Sequence, residues 1–212
     1  VRHGYFEETF FSFSFSPIRD EIGRTVGLFH PVTETTQTML SQRRTRLLRD
    51  IGEKASETKT LQVACDLALH SISEYFYDVP MALLYLVDGE RKSVKLSAAS
   101  GVPLNSLAAP KELKFNTVLT ESHHSWPLDL AAVARKPQYL NDIESRFGPI
   151  ACREYPEVLR EAFIFPLGGT GHEVMGFLVL GVSPRLPIDE NYSSFLKLLS
   201  QAVDGALTNA QL

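Results

Sequence analysis

The chain has 212 residues, 44% of them hydrophobic, which is enough for one domain of ordinary size with attached segments. A net charge of -4 and a sequence pI of about 5.9 give no reason to expect nucleic acid as a partner. Cys65 and Cys152 supply neither a disulfide framework nor metal-site spacing, which fits a reducing, cytoplasmic setting. We see no signal peptide and no apolar run near the ~20 residues that cross a bilayer, so we expect no direct membrane contact.

The first predicted element is a β-hairpin. Residues 11–16 alternate strictly between Phe and Ser, which is typical of a half-buried strand with its rings on one face. Pro17 ends this strand, residues 20–23 predict a turn, and residues 25–29 predict the returning strand. A lone hairpin is marginally stable, so the rings must pack on a later part of the chain or on a domain whose beginning lies outside these residues. We favour the second interpretation, which makes the chain part of a larger modular protein.

A long polar helix follows, from Thr33 as N-cap to about Ala55. Its apolar residues form a narrow stripe that consists of Leu40, Leu47, Leu48, Ile51 and Ala55. The stripe has two open interpretations, the seam of a dimeric coiled coil through residues 36–55 or a connector helix that lies on its own domain. The helix also carries Arg43, Arg44, Arg46 and Arg49. Because acidic residues follow them closely, we interpret these arginines as a solvated helix face.

The remaining residues predict a mixture of helices and strands. Helices are expected from residue 58 or 60 to about 77 and from about 187 or 189 to the chain end, with short helices at 126–134, 141–147 and 156–160. Strands are expected at 81–88, 93–100, 137–140, 161–167 and 174–182, and residues 101–128 are irregular. Cys65 lies on the apolar face of its helix and is expected to be a buried thiol. This order predicts an α+β domain with an antiparallel sheet.

Residues 58–210 resemble a GAF domain. The resemblance rests on the order of residues 82–86 and 96–101 as first strands, Trp126-Pro127-Leu128 before a short helix, residues 137–142, and the strand pair 162–167 and 174–181. It implies an antiparallel sheet of about five or six strands. It also implies N- and C-terminal helices on one face of the sheet and a loop-covered ligand pocket on the other.

The resemblance places that pocket between the sheet and two covering segments, residues 101–128 and 141–160. Its expected apolar walls are Trp126, Tyr139, Phe147 and Tyr155, and its expected polar contacts are His124, Asp142, Arg146 and Arg153. The alternative is that Trp126 and Phe147 fill the core beneath the loops, as most aromatic side chains do.

Residues 5–36 resemble the last strands of a PAS domain. Residues 14–20 match its penultimate strand, and Val32-Thr33-Glu34 matches its exit into a helix, although Pro31 stands where an Asp is usual. A PAS domain, a helix and a GAF domain in this order resemble the sensory region of two-component sensor histidine kinases. The implied division is a partial PAS hairpin at 1–32, a signalling helix at 33–57 and a GAF domain at 58–212.

The resemblances imply a sensory input module that couples a small molecule or an interdomain signal to an output kinase in the same polypeptide. The expected assembly is a homodimer through Leu40, Leu47, Leu48 and Ile51. One alternative is a ligand-free dimerisation spacer. Another is a thiol-based redox sensor or reductase that uses Cys152, since the adjacent Arg153 would lower the thiol pKa if the two groups were close.

The sequence identifies no catalytic residue. His172-Glu173 falls in a turn between strands, whereas a phospho-acceptor His lies on a helix, and residues 168–171 lack the Lys of a phosphate loop. His123 and His124 point in opposite directions on an extended chain, with Glu121 as the sole nearby ligand type, so we predict no metal site. No cofactor is required by the sequence.

Overall fold

A computed structural model describes residues 4–55, 60–114, 125–168 and 173–210. The N-terminal part forms β1 Phe11–Phe13, β2 Ser16–Arg19, β3 Thr25–Phe29 and β4 Val32–Glu34. The chain continues with α1 Thr36–Ala55, α2 Leu61–Ser73, β5 Ala82–Val87, β6 Ser93–Ser100, β7 Glu112–Lys114, α3 Leu128–Ala134, β8 Gln138–Leu140, α4 Ile143–Phe147, β9 Ala151–Cys152, β10 Tyr155–Val158, β11 Ala162–Leu167, β12 Gly176–Gly181 and α5 Glu190–Asn209. None of these helices combines the length and apolarity needed to cross a bilayer.

The first four strands form two successive antiparallel pairs, which we call the ribbon. β2 pairs with β3 around a turn that the Asp20 carboxylate caps, and β1 pairs with β4. The Phe-Ser run was expected to be one strand, but it divides after Phe13. Ser14 lies opposite Pro31, which has no N–H to continue the ladder. The expectation that Pro17 ends a strand is also wrong, because Pro17 lies within β2 opposite Leu28.

The ribbon exposes its apolar side chains in the described part of the chain. Phe13 is 62% exposed and Phe15 is 56% exposed, and their rings contact His30 and each other. The alternation therefore predicts strand geometry correctly and burial incorrectly.

A six-stranded antiparallel sheet organises the rest of the chain, in the order β7-β6-β5-β12-β11-β8. The expected pairs β5–β6 and β11–β12 are present, and β5 and β12 join them at the centre of the sheet. β7 was not expected, because it has three residues of mixed polarity. The helix expected at residues 156–160 is replaced by the β9–β10 hairpin, in which Tyr155 precedes Pro156 and is therefore biased toward extended backbone.

One face of the sheet packs against a layer of three helices. Leu84, Leu178 and Phe165 point into this layer, where α1 packs on both α2 and α5. Thr60 caps α2 and Asp189 caps α5, as their positions in the sequence suggest. The other face, with Leu83, Val179 and Ile164, is covered by the segments around α3, α4 and β9.

The apolar stripe of α1 is buried within its own chain. Leu40, Leu47 and Ile51 are at most 4% exposed, and Leu48 is partly buried against the same core. This packing agrees with the interpretation of α1 as a helix that lies on its own domain. These side chains are occupied and do not form a free seam for a second copy.

Candidate functional site

Trp126 and Phe147 lie together in the core of the loop-covered face. Trp126 is 3% exposed and Phe147 is 7% exposed, and their ring centroids are 4.4 Å apart. The indole Nε1 of Trp126 donates a hydrogen bond of 2.7 Å to the carbonyl oxygen of Ala108. Tyr85 is fully buried beside them, and its hydroxyl donates to the carbonyl of Pro110. These rings therefore fill space, which is the arrangement that the core interpretation predicts.

Asp142 and Arg146 sit at the two ends of the first turn of α4, close to this aromatic pair. Arg146 Nε donates to Asp142 Oδ1 over 2.8 Å, and its Nη1 donates to the carbonyl oxygen of Ser125 over 3.2 Å. The pair thereby ties α4 to the segment that enters α3. Four of the expected pocket residues thus meet on the loop-covered face.

Of the remaining expected pocket residues, Tyr139 lies on the opposite face of the sheet, and Tyr155 packs at the edge of the loop-covered core. Tyr139 is on β8, paired with Phe163, on the same face as the helix layer, and its hydroxyl donates to Glu161. Tyr155 is on β10, where it packs against the loop-covered core with Tyr77 beside it and the guanidinium of Arg185 over its ring. Side chains alternate along β8, so Leu140 points into the loop-covered core and its neighbour Tyr139 points away from it. His124 falls outside the described residues, as does His123.

Arg153 contacts Ser100, and burial determines the state of the adjacent Cys152 thiol. Arg153 Nη2 donates to Ser100 Oγ over 3.2 Å, and Cys152 is 1% exposed. Burial, followed by the charge of Glu157, raises the pKa of the Cys152 thiol to about 12. The lowered thiol pKa that a close Arg153 charge would cause is not found. Burial also raises the pKa of Cys65 to about 11.

A buried network of ion pairs joins α1 to the rest of the domain, and we call it the Asp78 cluster: Glu8, Arg43, Arg44 and Asp78. The Asp78 side chain is 1% exposed and accepts hydrogen bonds from Arg43 Nε at 2.5 Å and Arg44 Nε at 3.1 Å. The two terminal nitrogens of Arg43 donate to both carboxylate oxygens of Glu8, at 2.7 and 2.6 Å. Two cations and two anions therefore neutralise one another out of water.

The guanidinium of Arg43 is held in its charged form by this arrangement. Burial by itself would lower the pKa of Arg43, but the hydrogen bonds and charges of Glu8 and Asp78 raise it above its ordinary value. The expectation that Arg43 and Arg44 form a solvated face is wrong, whereas Arg46 and Arg49 are exposed as expected.

Tyr192 extends the Asp78 cluster into α5. Its hydroxyl donates to the backbone carbonyl of Asp78 and accepts from the backbone N–H of Ser183 at 3.0 Å. The guanidinium of Arg44 lies 4.8 Å from the centroid of the Tyr192 ring and 5.2 Å from that of Phe195. Five parts of the chain thus meet at one point: the N-terminal segment, α1, the end of the α2–β5 connection, the residues that follow β12, and α5.

Sequence reasoning missed this cluster, although one signal was present. Leu40, Arg44, Leu47 and Ile51 follow at intervals of four, three and four, so Arg44 lies within the apolar stripe of the helix. A cation in such a stripe needs a buried partner. That partner, Asp78, is 34 residues away and follows α2, so periodicity does not reveal it.

Comparison with known proteins identifies the architecture. No protein-family model matches the chain, and no curated protein matches it in sequence. Among solved structures, the GAF domain of a phosphoenolpyruvate-protein phosphotransferase from Acinetobacter is similar with a TM-score of 0.55 and 19% identity, over 79% of this chain and 93% of that one. The fold is that of a GAF domain. The α+β, six-stranded GAF-like architecture expected from the sequence is confirmed.

Two further solved structures share the GAF fold but differ in what they are named for. Free methionine-R-sulfoxide reductase from Neisseria meningitidis, in complex with its substrate, has a TM-score of 0.56 and 17% identity, over 79% of this chain and 90% of that one. Residues 122 to 287 of a methyl-accepting chemotaxis protein have a TM-score of 0.52 and 12% identity, over 76% and 96%. At these identities the similarity establishes the GAF fold, and function has to be argued from this chain's own residues.

Proposed function

We propose that this chain is a sensory or regulatory input module of a larger signalling protein. The GAF domain receives a small molecule or a change in a neighbouring domain, and α1 and α5 transmit it toward an output domain. The resemblance of the N-terminal strands to the end of a PAS domain favours a PAS-GAF sensor histidine kinase. A chemotaxis protein among the structural neighbours supports a signalling role.

The main support for this proposal is that α1 is attached to the GAF domain by both packing and buried ion pairs. The helix packs on both α2 and α5, and the Asp78 cluster fixes it by charges that balance in one arrangement of the helix. A displacement of α1 by one turn would separate Arg43 and Arg44 from their buried partner. Transmission through α1 requires a second position of the helix in which these contacts are exchanged, and a bias of a few kcal/mol between the two positions would be enough to pass a signal.

The proposed assembly is a homodimer. Because Leu40, Leu47 and Ile51 are buried in their own chain, a dimer would use the outer side of the helix layer, where Met39 of α1 and Leu198 of α5 are exposed. Sedimentation equilibrium of the wild-type chain and of Leu198→Glu tests this arrangement. A wild-type chain that stays monomeric at high micromolar concentration would contradict it.

The coding sequence on both sides of the chain is the decisive test of the kinase context. We expect the missing strands of a PAS domain before residue 1, and a phospho-acceptor helix with an ATP-binding domain after residue 212. In the full-length protein, Asp78→Asn is expected to change the autophosphorylation rate severalfold, and the exposed change Glu90→Gln is expected to leave it unchanged. Absence of any kinase domain would contradict the kinase part, and equal rates in all three proteins would contradict transmission through α1.

A thermal-shift screen of the chain against a metabolite library distinguishes the sensor hypothesis from the hypothesis of a ligand-free spacer. Melting temperatures that stay flat throughout the library would favour the spacer.

A thiol reductase is the second candidate, and the reductase among the structural neighbours is the observation that favours it. Both thiols are buried with raised pKa values, which opposes a thiolate nucleophile at neutral pH. Reduction of free methionine sulfoxide by the wild type, and its loss in Cys152→Ser, would establish the reductase. We expect no turnover in either protein.

A further inference from the structure

A groove of about 840 Å³ lies between α2 and the outer edge of β6, and we call it the α2–β6 groove. β7 pairs with this edge as far as Lys95, and the Leu96 N–H donates to the Lys111 carbonyl at 2.9 Å, so residues 97–100 have no strand partner on that side in the described ranges. Leu69 and Ser73 of α2 form one wall, and the loop residue Leu104 forms an apolar lip that is 64% exposed. The volume lies within the range of roughly 300–1,000 Å³ that is typical of small-molecule sites.

Three permanent cations line the groove: Lys95, Lys111 and Arg153. Among the residues that the structure describes, none of the three has a carboxylate within the 4.0 Å of an ion pair. His70 also faces the groove, and its Nε2 lies 3.7 Å from the Glu74 carboxylate on the same helix.

Two carboxylates line the same groove, and both are engaged with neutral groups of the chain. Asp66 accepts a hydrogen bond from the amide of Gln62 at 3.0 Å, and Glu112 accepts one from the hydroxyl of Ser93 at 2.5 Å. Three cations against two anions leave the groove with a positive balance. The charge of Lys95 also acts on Asp88, whereas Lys111 and Arg153 have no ion-pair partner among the described carboxylates, so a ligand with a negative charge finds these two donors unoccupied by acids of the described chain.

Arg153 is held in place for such a contact by its backbone and its neighbours. Its φ of 56° is left-handed, a conformation that side-chain-bearing residues adopt at a cost and that clusters at binding sites. One terminal nitrogen donates to Ser100 Oγ, and the guanidinium lies 5.9 Å from the centroid of the Phe76 ring. The other guanidinium donors have no hydrogen-bond partner among the described residues, which leaves them for a planar or tetrahedral oxyanion.

We propose that the α2–β6 groove binds a small organic anion. Its carboxylate or phosphate contacts Arg153 with Lys95 and Lys111, and its apolar body lies against Val102 and Leu104. The groove is separate from the Trp126–Phe147 region where the sequence placed a pocket. The site is independent of the output domain, so its failure and the failure of the proposed function are distinguishable.

Matched probes test the charge requirement. Hexanoate, hexyl phosphate and hexylamine share one apolar chain and differ in the head group. In a ¹H–¹⁵N correlation titration of the wild-type chain, we expect saturable shifts at Ser97, Gly101 and Arg153 with one or both anions, and the preferred anion identifies the head group. Equal shifts with hexylamine, or anion shifts confined to the loop-covered face, would overturn the assignment.

Neutral substitutions test the residues. Arg153→Gln and Lys111→Gln are each expected to weaken binding of the preferred anion about tenfold, which is typical of losing one charge-assisted contact. Lys197→Gln, an exposed change on α5, is expected to bind like the wild type. Because Arg153 has an unusual backbone, Lys111→Gln gives an independent result if Arg153→Gln folds poorly. Unchanged affinity in both groove variants would overturn the proposal.

Discussion

Asp78 is the residue on which most of the polar organisation depends. Its carboxylate binds two guanidiniums and its backbone carbonyl accepts the Tyr192 hydroxyl, all with almost no contact with water. When one partner of a buried ion pair is removed, the remaining charge loses the compensation for its desolvation.

We therefore expect Asp78→Asn to lower the free energy of unfolding by about 3 kcal/mol. Urea denaturation followed by circular dichroism measures this loss. Glu90→Gln is the control, because Glu90 pairs with Lys92 on the surface and both side chains are largely exposed. We expect the control to change the free energy of unfolding by less than about 0.5 kcal/mol. A loss for Asp78→Asn as small as that of the control would show that water reaches the cluster.

The buried thiols predict how stability depends on alkaline pH. The pKa of Cys152 rises from 9.0 in its ordinary state to about 12 in the folded chain. The unfolded chain therefore releases this proton first, and stability is complete below pH 9 and falls as the pH rises from 9 toward 12. Urea midpoints measured over this range in the wild type and in Cys152→Ser are expected to converge as the pH rises. A constant difference between the two proteins would contradict the assigned thiol pKa.

The same burial predicts slow chemical modification. We expect iodoacetamide to alkylate Cys152 at pH 8 much more slowly in the native chain than in urea. In the folded chain the reagent does not reach the buried sulfur, and little of the thiol is in the reactive thiolate form. Mass spectrometry of timed samples measures the two rates. Equal rates would mean that the β9–β10 hairpin opens readily.

At the scale of the elements, α1 behaves as part of the domain core. Leu47 is fully buried between α1 and its neighbours, and Met39 on the same helix is 42% exposed. Leu47→Ala is expected to lower the free energy of unfolding by about 3 kcal/mol, while Met39→Ala changes it by less than about 1 kcal/mol. Denaturant unfolding of both variants makes the comparison. Similar small effects would indicate a helix that is loosely attached.

The elements that the sequence predicted well are those with long apolar runs. Residues 82–87 and 176–181 are central strands covered on both faces, so their continuous apolar sequence identifies them without any partner. The prediction of secondary structure failed where a segment takes its conformation from a partner that is distant in the sequence. The three-residue β7 exists because β6 is beside it, and the hairpin around Cys152 depends on the core beneath it.

The candidate site was less predictable than the fold for the same reason. Trp126, Phe147, Asp142 and Arg146 were expected to meet and do so, since they flank two short consecutive helices. Glu8 and Arg43 are 35 residues apart in the sequence, and so are Arg43 and Asp78. The charges of these residues do not by themselves reveal which of them pair in the fold. The α2–β6 groove was also missed, because it depends on where a short strand stops.

At the scale of the molecule, the described chain consists of a domain with the GAF fold and a ribbon that contributes little to its core. The ribbon leaves and re-enters the domain at neighbouring points, where Thr35 N–H donates to the Phe10 carbonyl and Phe10 N–H donates to Thr36. Its apolar side chains, such as Phe13 and Leu28, are exposed in the described structure.

We expect replacement of residues 12–33 by a short Gly-Asn turn to leave the melting temperature of the domain within a few degrees of the wild type. Scanning calorimetry measures this, and light scattering is expected to show less association at high concentration, because an exposed apolar ribbon edge favours self-association. A large loss of melting temperature would show that the ribbon is part of the cooperative unit.

Glu8 precedes the ribbon, yet it supplies one of the two negative charges that surround Arg43. A shortened polypeptide that starts at the first strand would keep both guanidiniums and leave them to share a single acid. Charge neutrality therefore decides where this domain can be trimmed, and that point lies upstream of the first strand that the structure describes.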